Sequence, residues 1–317
     1  MREAGLLVIG AGPAGLSAAQ YGARAGLAVV VLEAAIQPGG QVLTIETLEN
    51  YPGWLGGKSG RELAEAMHRQ ALDFGAVFLP NSAETLTIRD AAGSSRRFCA
   101  LLDDGTEILA KAVILALGAS PRKLGIPGEE ELAGAGVSYC ATCDGPFFKN
   151  KKVFVVGGGD AACDNARGLS RIAAQVALVH RRGALRAQKM LADRVISTPG
   201  VSLYLNTVLR HIHGNGHVQW ITMENTLTRV RTEEAADAVF IYAGLVPRNG
   251  ITQKPELVEK PALDGGGFVV TGQDMATTVP GIFCAGDLRA TMFRQVVVAA
   301  GEGAVAAHSA AAYIDSL

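Results

Sequence analysis

The sequence predicts an α/β protein that contains two copies of one strand–loop–helix–strand unit. In the first copy, an apolar run at residues 6–9 leads into a glycine-rich loop, an alanine-rich helix and a second apolar run at residues 28–32. Residues 152–182 repeat this order, and the first loop glycine and the end of the second strand are equally spaced in both copies (33 − 10 = 23 and 180 − 157 = 23). A chain of 317 residues with two such units predicts two domains, each with a parallel sheet flanked by helices.

The first loop has the pattern of a dinucleotide site. Gly10, Gly12 and Gly15 follow G-x-G-x-x-G spacing, with a strand before them and a helix after them. Glycines at these positions let backbone N–H groups approach a pyrophosphate at the helix N-terminus. Glu33, at the end of the second strand, can accept a hydrogen bond from a ribose hydroxyl. The alternative, a glycine-rich turn without a ligand, explains the strand, the helix and the acid less well.

The second loop predicts a second dinucleotide with a different ribose. Gly157 and Gly159 follow the strand, and Ala162 takes the third position of the pattern. The second strand ends in a basic run instead of an acid: His180, Arg181 and Arg182, with Arg186 close behind. An acid repels a 2′-phosphate, whereas an arginine cluster accommodates one, so this site is expected to prefer NADPH over NADH. A solvated basic turn is the alternative.

A C-x-x-C pair lies in the chain between the two dinucleotide units, shortly before the second one. Cys140 and Cys143 can close a small disulfide ring, and Asp144 follows the second cysteine directly. Such a pair is typical of a redox couple or of half a zinc site. A structural zinc site needs four ligands, and the other cysteines are isolated, so zinc is the weaker interpretation. These isolated cysteines are Cys99, Cys163 and Cys284.

Composition excludes several classes of function. The chain is 49% hydrophobic with a formal charge of -1 and has no Lys/Arg run, so we expect no nucleic-acid partner. We expect no membrane partner, because no apolar run looks long enough to span one. The chain starts almost at once with a strand, not a signal peptide, which predicts a cytoplasmic protein. An odd number of cysteines argues against a secreted disulfide framework.

The remaining elements are read from periodicity. Residues 38–60 carry a second glycine-rich patch, in which 38–41 and 49–53 are expected to be loops that can line a large cofactor. Residues 59–74 are expected to form an amphipathic helix with Ser59 as N-cap and Leu63, Met67 and Leu72 on or near one face. Strands are expected at 84–89, 97–102, 106–109 and 112–119, and residues 201–245 are rich in β-like runs.

Three histidines lie within residues 201–245: His211, His213 and His217. They are expected to be surface histidines of a hairpin, with a metal site as the weaker interpretation. The last strand closes on Asp287, which can bind a ribityl or ribose hydroxyl, and an apolar helix after residues 294–295 is expected to be buried.

Taken together, these segments resemble the low-molecular-weight, bacterial-type thioredoxin reductases over essentially the whole chain. The motifs that carry the resemblance are GAGPAG at 10–15, GGQ at 39–41, CATCDG at 140–145, GGGDAA at 157–162, HRR at 180–182 and GIFCAGD at 281–287. The resemblance implies two Rossmann-like dinucleotide-binding domains, each a three-layer ββα structure, the second inserted in the first. It places an FAD domain at 1–120 and 247–317 and an NADPH domain at 121–246, with hinges near Pro121 and Pro247. It also implies a homodimer that reduces thioredoxin or a thioredoxin-like protein.

The resemblance assigns roles to individual residues. Cys143 would lie nearest the flavin, Cys140 would attack the partner's disulfide, and Asp144 would serve the thiols as acid and base. The FAD-binding set would be Gly10, Gly12, Gly15, Glu33, Gly40, Gln41, Asn50, Asp287, Arg294 and Gln295. The NADPH-binding set would be Gly157, Gly159, Asp160, His180, Arg181, Arg182 and Arg186.

Some positions depart from the family pattern. The usual serine after GGGD is Ala161, the acidic pair further along the helix is replaced by Asp164 and Asn165 beside Cys163, and Pro146 interrupts the run after CATCDG. These changes near the second loop favour an alternative function, a related flavin dithiol oxidase or a ferredoxin-driven disulfide reductase that does not rely on NADPH. A non-enzymatic nucleotide sensor is the other alternative, and the intact Cys140–Asp144 stretch argues against it.

Overall fold

The computed structural model describes residues 2–45, 48, 50–56, 58–89 and 97–317, with the backbone alone for residues 44, 142 and 143. The chain forms two compact units. The first unit comprises Met1–Ser120 and Val246–Leu317, and the second, Pro121–Leu245, is inserted between them.

The strands and helices are defined in chain order. The strands are β1 (Arg2–Ile9), β2 (Val29–Leu32), β3 (Val77–Leu79), β4 (Ala83–Arg89), β5 (Arg97–Leu102), β6 (Glu107–Leu115), β7 (Ala119–Pro121), β8 (Val137–Ser138), β9 (Lys152–Val156), β10 (Gln175–Val179), β11 (Val201–Tyr204), β12 (Thr207–Gly214), β13 (Val218–Asn225), β14 (Arg231–Ala235), β15 (Ala238–Ile241), β16 (Leu245–Pro247) and β17 (Ile282–Cys284). The α-helices are α1 (Pro13–Arg24), α2 (Gly60–Asp73), α3 (Ala141–Asp144), α4 (Asp160–Leu169), α5 (Lys189–Ile196), α6 (Gly250–Gln253) and α7 (Val296–Asp315). Short 3-10 helices cover Gly40–Thr44, Gly145–Phe148 and Gly286–Leu288.

The first unit is built on a mixed sheet with the strand order β3-β2-β1-β6-β5-β4. The strands β3, β2, β1 and β6 run parallel, while β6, β5 and β4 form an antiparallel meander. β17 pairs in parallel with the second half of β6, beyond the residues that pair with β5. The sequence pattern suggested two separate strands at 106–109 and 112–119, whereas residues 107–115 form one strand that has different neighbours along its length.

Side chains of β1 show why this sheet is buried on both faces. Leu6 and Val8 point into a core shared with α1, α2 and α7, and Leu7 and Ile9 point into a core on the opposite face. Successive side chains of a strand point to opposite faces, so a continuous apolar run fits a strand that is covered on both sides. The second core includes side chains of β4, β5 and residues 251–288.

The second unit repeats this layering. Its five-stranded parallel sheet has the order β11-β10-β9-β15-β8. Phe154 and Val156 pack toward the antiparallel sheet β12-β13-β14, while Val153 and Val155 pack toward α4 and α5. The α/β prediction with two ββα Rossmann-like units is therefore confirmed.

The start of α2 follows the sequence signal closely. The Ser59 hydroxyl accepts a hydrogen bond from Glu62 N, and the Glu62 carboxylate accepts one from Ser59 N, which together form a capping box. Leu63 and Met67 are buried as expected. Leu72 was expected near the same face but is 43% exposed, and Ala71 takes the buried position instead.

The helix α7 corrects the expectation that no apolar segment is long enough to span a membrane. Val296–Asp315 has both the length and the composition of a span. It nevertheless packs along α1, so closely that a Cβ on Gly303 would lie 2.1 Å from Ala14 O. Its Glu302 is buried and ion-paired with Arg289. These features are those of a helix inside a protein core, as the sequence analysis expected of this segment.

Candidate active site

The first glycine loop, between β1 and α1, excludes side chains on its inner side. Gly10 has a φ of 103°, and a Cβ on Gly15 would lie only 1.8 Å from Gly10 O. Gly12, the N-cap of the 12-residue helix α1, has no atom within 4 Å of the place where its Cβ would be. The loop therefore presents an open face and backbone N–H groups at a helix N-terminus, which suits a pyrophosphate.

Glu33 holds this loop in place. One carboxylate oxygen accepts a hydrogen bond from Ala11 N at 2.8 Å, and the other accepts one from Ala35 N at 3.0 Å. Gly40 lies close to the loop as well, since a Cβ there would be 3.1 Å from Gly12 Cα. Glu33 thus lies at the end of β2 beside the glycine loop, where a ribose-binding acid is expected.

Segments far apart in sequence meet beside the first loop. Gln41 Nε2 donates to Ala119 O at 3.0 Å and to an Asp287 carboxylate oxygen at 3.4 Å. Asn50 Nδ2 donates to Gln295 Oε1 at 2.9 Å. The predicted FAD-binding residues of the loops and of the last strand therefore contact one another within one unit.

Two buried donors of the first unit, one of them beside Asp287, lack a partner in the part of the chain that the structure describes. Arg294 Nε and Trp54 Nε1 are buried and have no hydrogen-bond partner among the residues described. The Arg294 guanidinium carbon lies 4.1 Å from the centre of the Phe268 ring. Burial raises the pKa of Asp287, and the nearby Arg294 charge opposes that rise. Buried unpaired donors are unfavourable without an acceptor, so this region fits an acceptor-rich group such as FAD.

The second glycine loop, between β9 and α4, is equally confined. Gly157 has a φ of 154°, and a Cβ there would lie 2.6 Å from Tyr242 O. A Cβ on Gly158 would lie 2.3 Å from His180 Nδ1. Gly159, the N-cap of α4, has open space where its Cβ would be. The pattern of closed inner positions and an open N-cap matches the first loop and fits a second dinucleotide.

His180 lies under this loop and not in solvent. Its ring is buried, and burial lowers its pKa, as do the charges of Arg186, Arg182 and Arg181. These effects all favour the neutral imidazole, and its Nε2 has no hydrogen-bond partner among the described residues. The three arginines are exposed, as suits residues that receive a phosphate.

A short hydrogen-bond network fixes the segment that carries these arginines. The amide of Arg186 donates to Gly158 O at 2.6 Å and that of Ala187 at 3.0 Å. The Asp160 carboxylate accepts from Gln188 N at 2.7 Å and from Gln188 Nε2 at 3.0 Å. Asp160, predicted to bind the nucleotide, thus braces the arginine segment against the glycine loop.

The departures from the family pattern are accommodated within α4. Asn165 Nδ2 donates to Ala161 O at 2.7 Å, and Asp164 lies 3.6 Å from the Arg167 guanidinium. The neighbouring Cys163 is buried and free, and burial raises its pKa to about 11. A thiol with such a pKa is protonated at neutral pH and unreactive, so Cys163 is a packing residue and not a redox partner.

The redox turn lies in the same unit as the second loop. Cys140 is half-buried and disulfide-bonded. Cys140 N donates to Ser138 Oγ at 3.0 Å, and Asp144 N donates to Cys140 O at 3.1 Å. The side chain of Cys143 lies outside the described part of the chain, whereas its backbone belongs to α3. The structure thus holds Cys140 in an ordered turn with Asp144 one helical turn away.

The sequence analysis missed two residues that hold this turn. Tyr242 Oη accepts a hydrogen bond from Ala141 N at 2.7 Å. Glu129 is 1% exposed and accepts from the Tyr139 hydroxyl at 2.7 Å. Glu129 lies in an acidic run typical of a solvated surface, and Tyr242 directly follows an apolar strand, so neither carried a local signal of its role.

The histidines of β12 form a surface stack. The rings of His211 and His213 are 3.7 Å apart, and His213 is 5.0 Å from the Trp220 ring. His213 Nε2 lies 2.8 Å from Thr222 Oγ1. These side chains lie on the exposed face of the β12-β13-β14 sheet, consistent with the expected hairpin.

Two glycine loops of the dinucleotide type and a disulfide in one chain define a class of protein, the oxidoreductases that connect nucleotide cofactors to a disulfide. The model of the pyridine nucleotide-disulphide oxidoreductase family matches residues 5–303, and the chain belongs to that family.

Known relatives extend over nearly the whole chain. The thioredoxin reductase of Treponema pallidum (strain Nichols) is 47% identical over 313 residues, which cover 98% of this chain and 97% of that protein. The thioredoxin reductase of Bacillus subtilis (strain 168) is 40% identical, with 98% and 95% covered. A crystal structure of Lactococcus lactis thioredoxin reductase matches with a TM-score of 0.81 and 36% identity, covering 99% of this chain and 100% of that one. These findings confirm the resemblance, the fold class and the prediction of an oxidoreductase that uses FAD and NADPH. The NADPH-independent alternative is not favoured.

Proposed function

We propose that this chain is an NADPH-dependent flavoprotein that reduces the disulfide of thioredoxin. The observation that supports this most strongly is the disulfide at Cys140, which lies in the unit that also contains the second glycine loop and the exposed arginines. The relatives named thioredoxin reductase, at 40% and 47% identity over 98% of the chain, support the same activity.

The cofactors are assigned to separate domains. FAD belongs to residues 1–120 and 247–317, held by Gly10, Gly12, Gly15, Glu33, Gly40, Gln41, Asn50, Asp287, Arg294 and Gln295. NADPH belongs to residues 121–246, held by Gly157, Gly159, Asp160, His180, Arg181, Arg182 and Arg186. When bound, the two cofactors supply hydride and electron transfer, and the protein supplies alignment and electrostatics.

The cysteine pair passes the electrons to the partner protein. Two electrons and two protons convert the Cys140–Cys143 disulfide into two thiols. The Cys140 thiolate then attacks one sulfur of the partner's disulfide, which forms a mixed disulfide and releases the partner's other sulfur as a thiolate. Attack by Cys143 on Cys140 restores the internal disulfide and releases the second partner sulfur, which leaves the partner reduced.

Asp144 handles the protons of this exchange. A thiolate is the reactive form of cysteine, so each attack needs a proton acceptor, and each leaving sulfur needs a donor. Asp144 ends α3, and its amide is bonded to Cys140 O, which keeps its carboxylate close to the turn.

The expected setting of the enzyme is a homodimer in the cytoplasm, with a thioredoxin or thioredoxin-like protein as partner and neither nucleic acid nor membrane involved. The dimer is supported by the family resemblance and by apolar side chains exposed on α7, such as Val297 and Val305. Sedimentation of the purified flavoprotein tests it, and a monomeric mass would contradict it.

The activity is tested with the variant Cys140→Ser. Wild-type protein is expected to oxidise NADPH in the presence of a bacterial thioredoxin and to generate thioredoxin thiols in equal amount. Cys140→Ser is expected to lose this activity while NADPH still bleaches its flavin. The control Cys99→Ala alters a buried free cysteine of β5 and is expected to keep full activity. Full thioredoxin reduction by Cys140→Ser would contradict the proposed role of the cysteine pair.

A further inference from the structure

The turn that carries the redox cysteine is tied to the second glycine loop by one tyrosine. Tyr242 follows β15, and its backbone N donates to Val156 O at 2.7 Å. Its backbone O packs against Gly157, where an added Cβ would lie only 2.6 Å from that oxygen. The main chain of Tyr242 is therefore fixed against the strand end and glycine that begin the second loop.

The side chain of Tyr242 reaches from this fixed position to the redox turn. Its hydroxyl oxygen accepts a hydrogen bond from Ala141 N at 2.7 Å. Ala141 is only 7% exposed, so its amide has little access to water. A buried amide that loses its acceptor is penalised, which gives the tyrosine hydroxyl a definite energetic role at this peptide.

The bonded amide belongs to the ring that a disulfide closes. A ring between Cys140 and Cys143 contains the peptide that joins Cys140 to Ala141. The Tyr242 bond therefore acts on an atom whose freedom depends on the oxidation state of the pair. In the structure, where Cys140 is disulfide-bonded, the bond is formed.

We propose that Tyr242 is a positioning residue that sets the redox balance of the cysteine pair by holding the Ala141 amide in the closed ring. This inference rests on the proposed function, because it concerns the reduction potential of the Cys140–Cys143 pair that the proposed function uses. Opening the ring restores freedom to the bonded peptide, so the bond favours the disulfide over the dithiol. While it is bonded to Tyr242, the Ala141 amide cannot donate to a thiolate of the reduced cysteine pair. Such a charge-assisted hydrogen bond would otherwise stabilise the reduced form.

Both effects act in the same direction. Removing the hydroxyl leaves a buried amide unpaired in the oxidised form and frees it for a thiolate in the reduced form. The variant Tyr242→Phe is therefore expected to be reduced more readily. A hydrogen bond of ordinary net strength predicts an increase of about threefold to tenfold in the equilibrium constant for reduction by a dithiol. A tenfold change corresponds to a potential about 30 mV less negative.

The test is an equilibrium titration of the cysteine pair in dithiothreitol buffers of defined ratio, with thiols trapped by alkylation and counted by mass. It uses the purified holoprotein and neither thioredoxin nor NADPH. The matched control is Tyr204→Phe in the same unit, whose hydroxyl has no hydrogen bond to another residue that the structure describes. Tyr204→Phe is expected to titrate like wild type, and both variants are expected to unfold thermally near the wild-type temperature.

The outcomes separate the two claims. If wild-type Cys140 cannot be reduced and reoxidised reversibly, the proposed function fails. If wild type shows a reversible couple and Tyr242→Phe titrates at the same ratio, the inference about Tyr242 is overturned while the proposed function stands. A shift toward easier reduction in Tyr242→Phe, absent from Tyr204→Phe, supports the inference.

Discussion

Gly158 and His180 are in direct contact, such that a Cβ at position 158 would lie 2.3 Å from Nδ1 of the buried imidazole. The second position of the glycine loop is thus closed by the residue that directly follows β10. Gly159, the next residue, has open space at the same place. Adjacent glycines therefore have different roles, one in packing and one in leaving a face accessible.

This contact predicts unequal effects of two alanine substitutions. Gly158→Ala forces a methyl group into the imidazole and is expected to lower the free energy of unfolding by about 1–3 kcal/mol, as overpacking does. Gly159→Ala has room for the methyl group and is expected to leave stability nearly unchanged. Thermal and urea unfolding of the two variants measure this, and equal stability of both would contradict the packing role of Gly158.

The exposed arginines predict a selective loss of NADPH use. The double variant Arg181→Ala/Arg182→Ala removes charge-assisted hydrogen bonds to a 2′-phosphate, each worth about 1.5–3 kcal/mol. We expect the KM for NADPH to rise by roughly a hundredfold or more, since two such bonds are together worth at least about 3 kcal/mol and about 1.4 kcal/mol is a factor of ten. The KM for NADH is expected to stay the same.

The control for this prediction is Arg171→Ala, which removes an exposed positive charge elsewhere in the same unit. It is expected to leave both KM values unchanged. An equal rise in the KM for NADH and NADPH in the double variant would assign Arg181 and Arg182 to some role other than phosphate recognition.

Glu302 of α7 is expected to contribute to the stability of the flavin domain. This buried carboxylate accepts from Gly286 N at 2.8 Å and pairs with Arg289, which is also largely buried. Glu302→Ala leaves the Arg289 charge unpaired and is expected to cost about 3–5 kcal/mol of stability. Because Gly286 precedes Asp287, we also expect weaker retention of flavin.

The measurements are the unfolding midpoint and the flavin content per chain after gel filtration. Glu302→Gln keeps an acceptor for Gly286 N and is expected to lose less stability than Glu302→Ala. Glu256→Ala, at an exposed site, is expected to behave like wild type. Unchanged flavin content and stability in Glu302→Ala would overturn this account.

Glu224 is expected to make the free energy of unfolding depend on pH in the acidic range. Hydrogen bonds from Arg210, Arg231 and Arg229 lower its pKa to about 2, against partial opposition from burial. A carboxyl group in an unfolded chain has a pKa of about 4.3. The folded pKa is the lower one, so the stability that the Glu224 charge provides is complete above pH of about 4.5 and is lost as the pH falls toward 2.

The variant Glu224→Gln is therefore expected to be less stable than wild type at pH 7, with a difference that narrows as the pH is lowered from 4.5 to 3. Thermal unfolding across this range measures it, with Glu131→Gln as an exposed acidic control from the same unit. A difference that stays constant down to pH 3 would show that the charge of Glu224 does not contribute.

The sequence predicts the parts of this molecule that depend on neighbours along the chain. Both glycine loops, the acid at the end of β2 and the cap at Ser59 follow from local spacing and are found in the structure. The exposure of Leu72 was missed, because periodicity places a residue near a face without showing how far that face is covered. The expectation that no apolar segment is long enough to span a membrane was likewise wrong, because small residues such as Gly303 made the segment of α7 look less apolar than it is.

Other features depend on contacts between distant segments, which no local pattern carries. Gln41 and Asp287 meet across 246 positions, and no local pattern indicates that contact. Tyr242 looked like the end of an apolar strand, and its bond to Ala141 is visible only once β15 and α3 are placed side by side. Glu129 similarly becomes a buried acceptor only through the fold around Tyr139.

The central claim is that electrons enter from NADPH, through a nucleotide site that recognises the 2′-phosphate, and reach the flavin. Its most direct test is anaerobic titration of the purified yellow protein with NADPH, and separately with NADH, while the absorbance of the oxidised flavin is followed. The account predicts rapid bleaching by NADPH and little bleaching by NADH. If neither nucleotide bleached the flavin while a dithiol did, the electrons would flow by another route and the account would be contradicted.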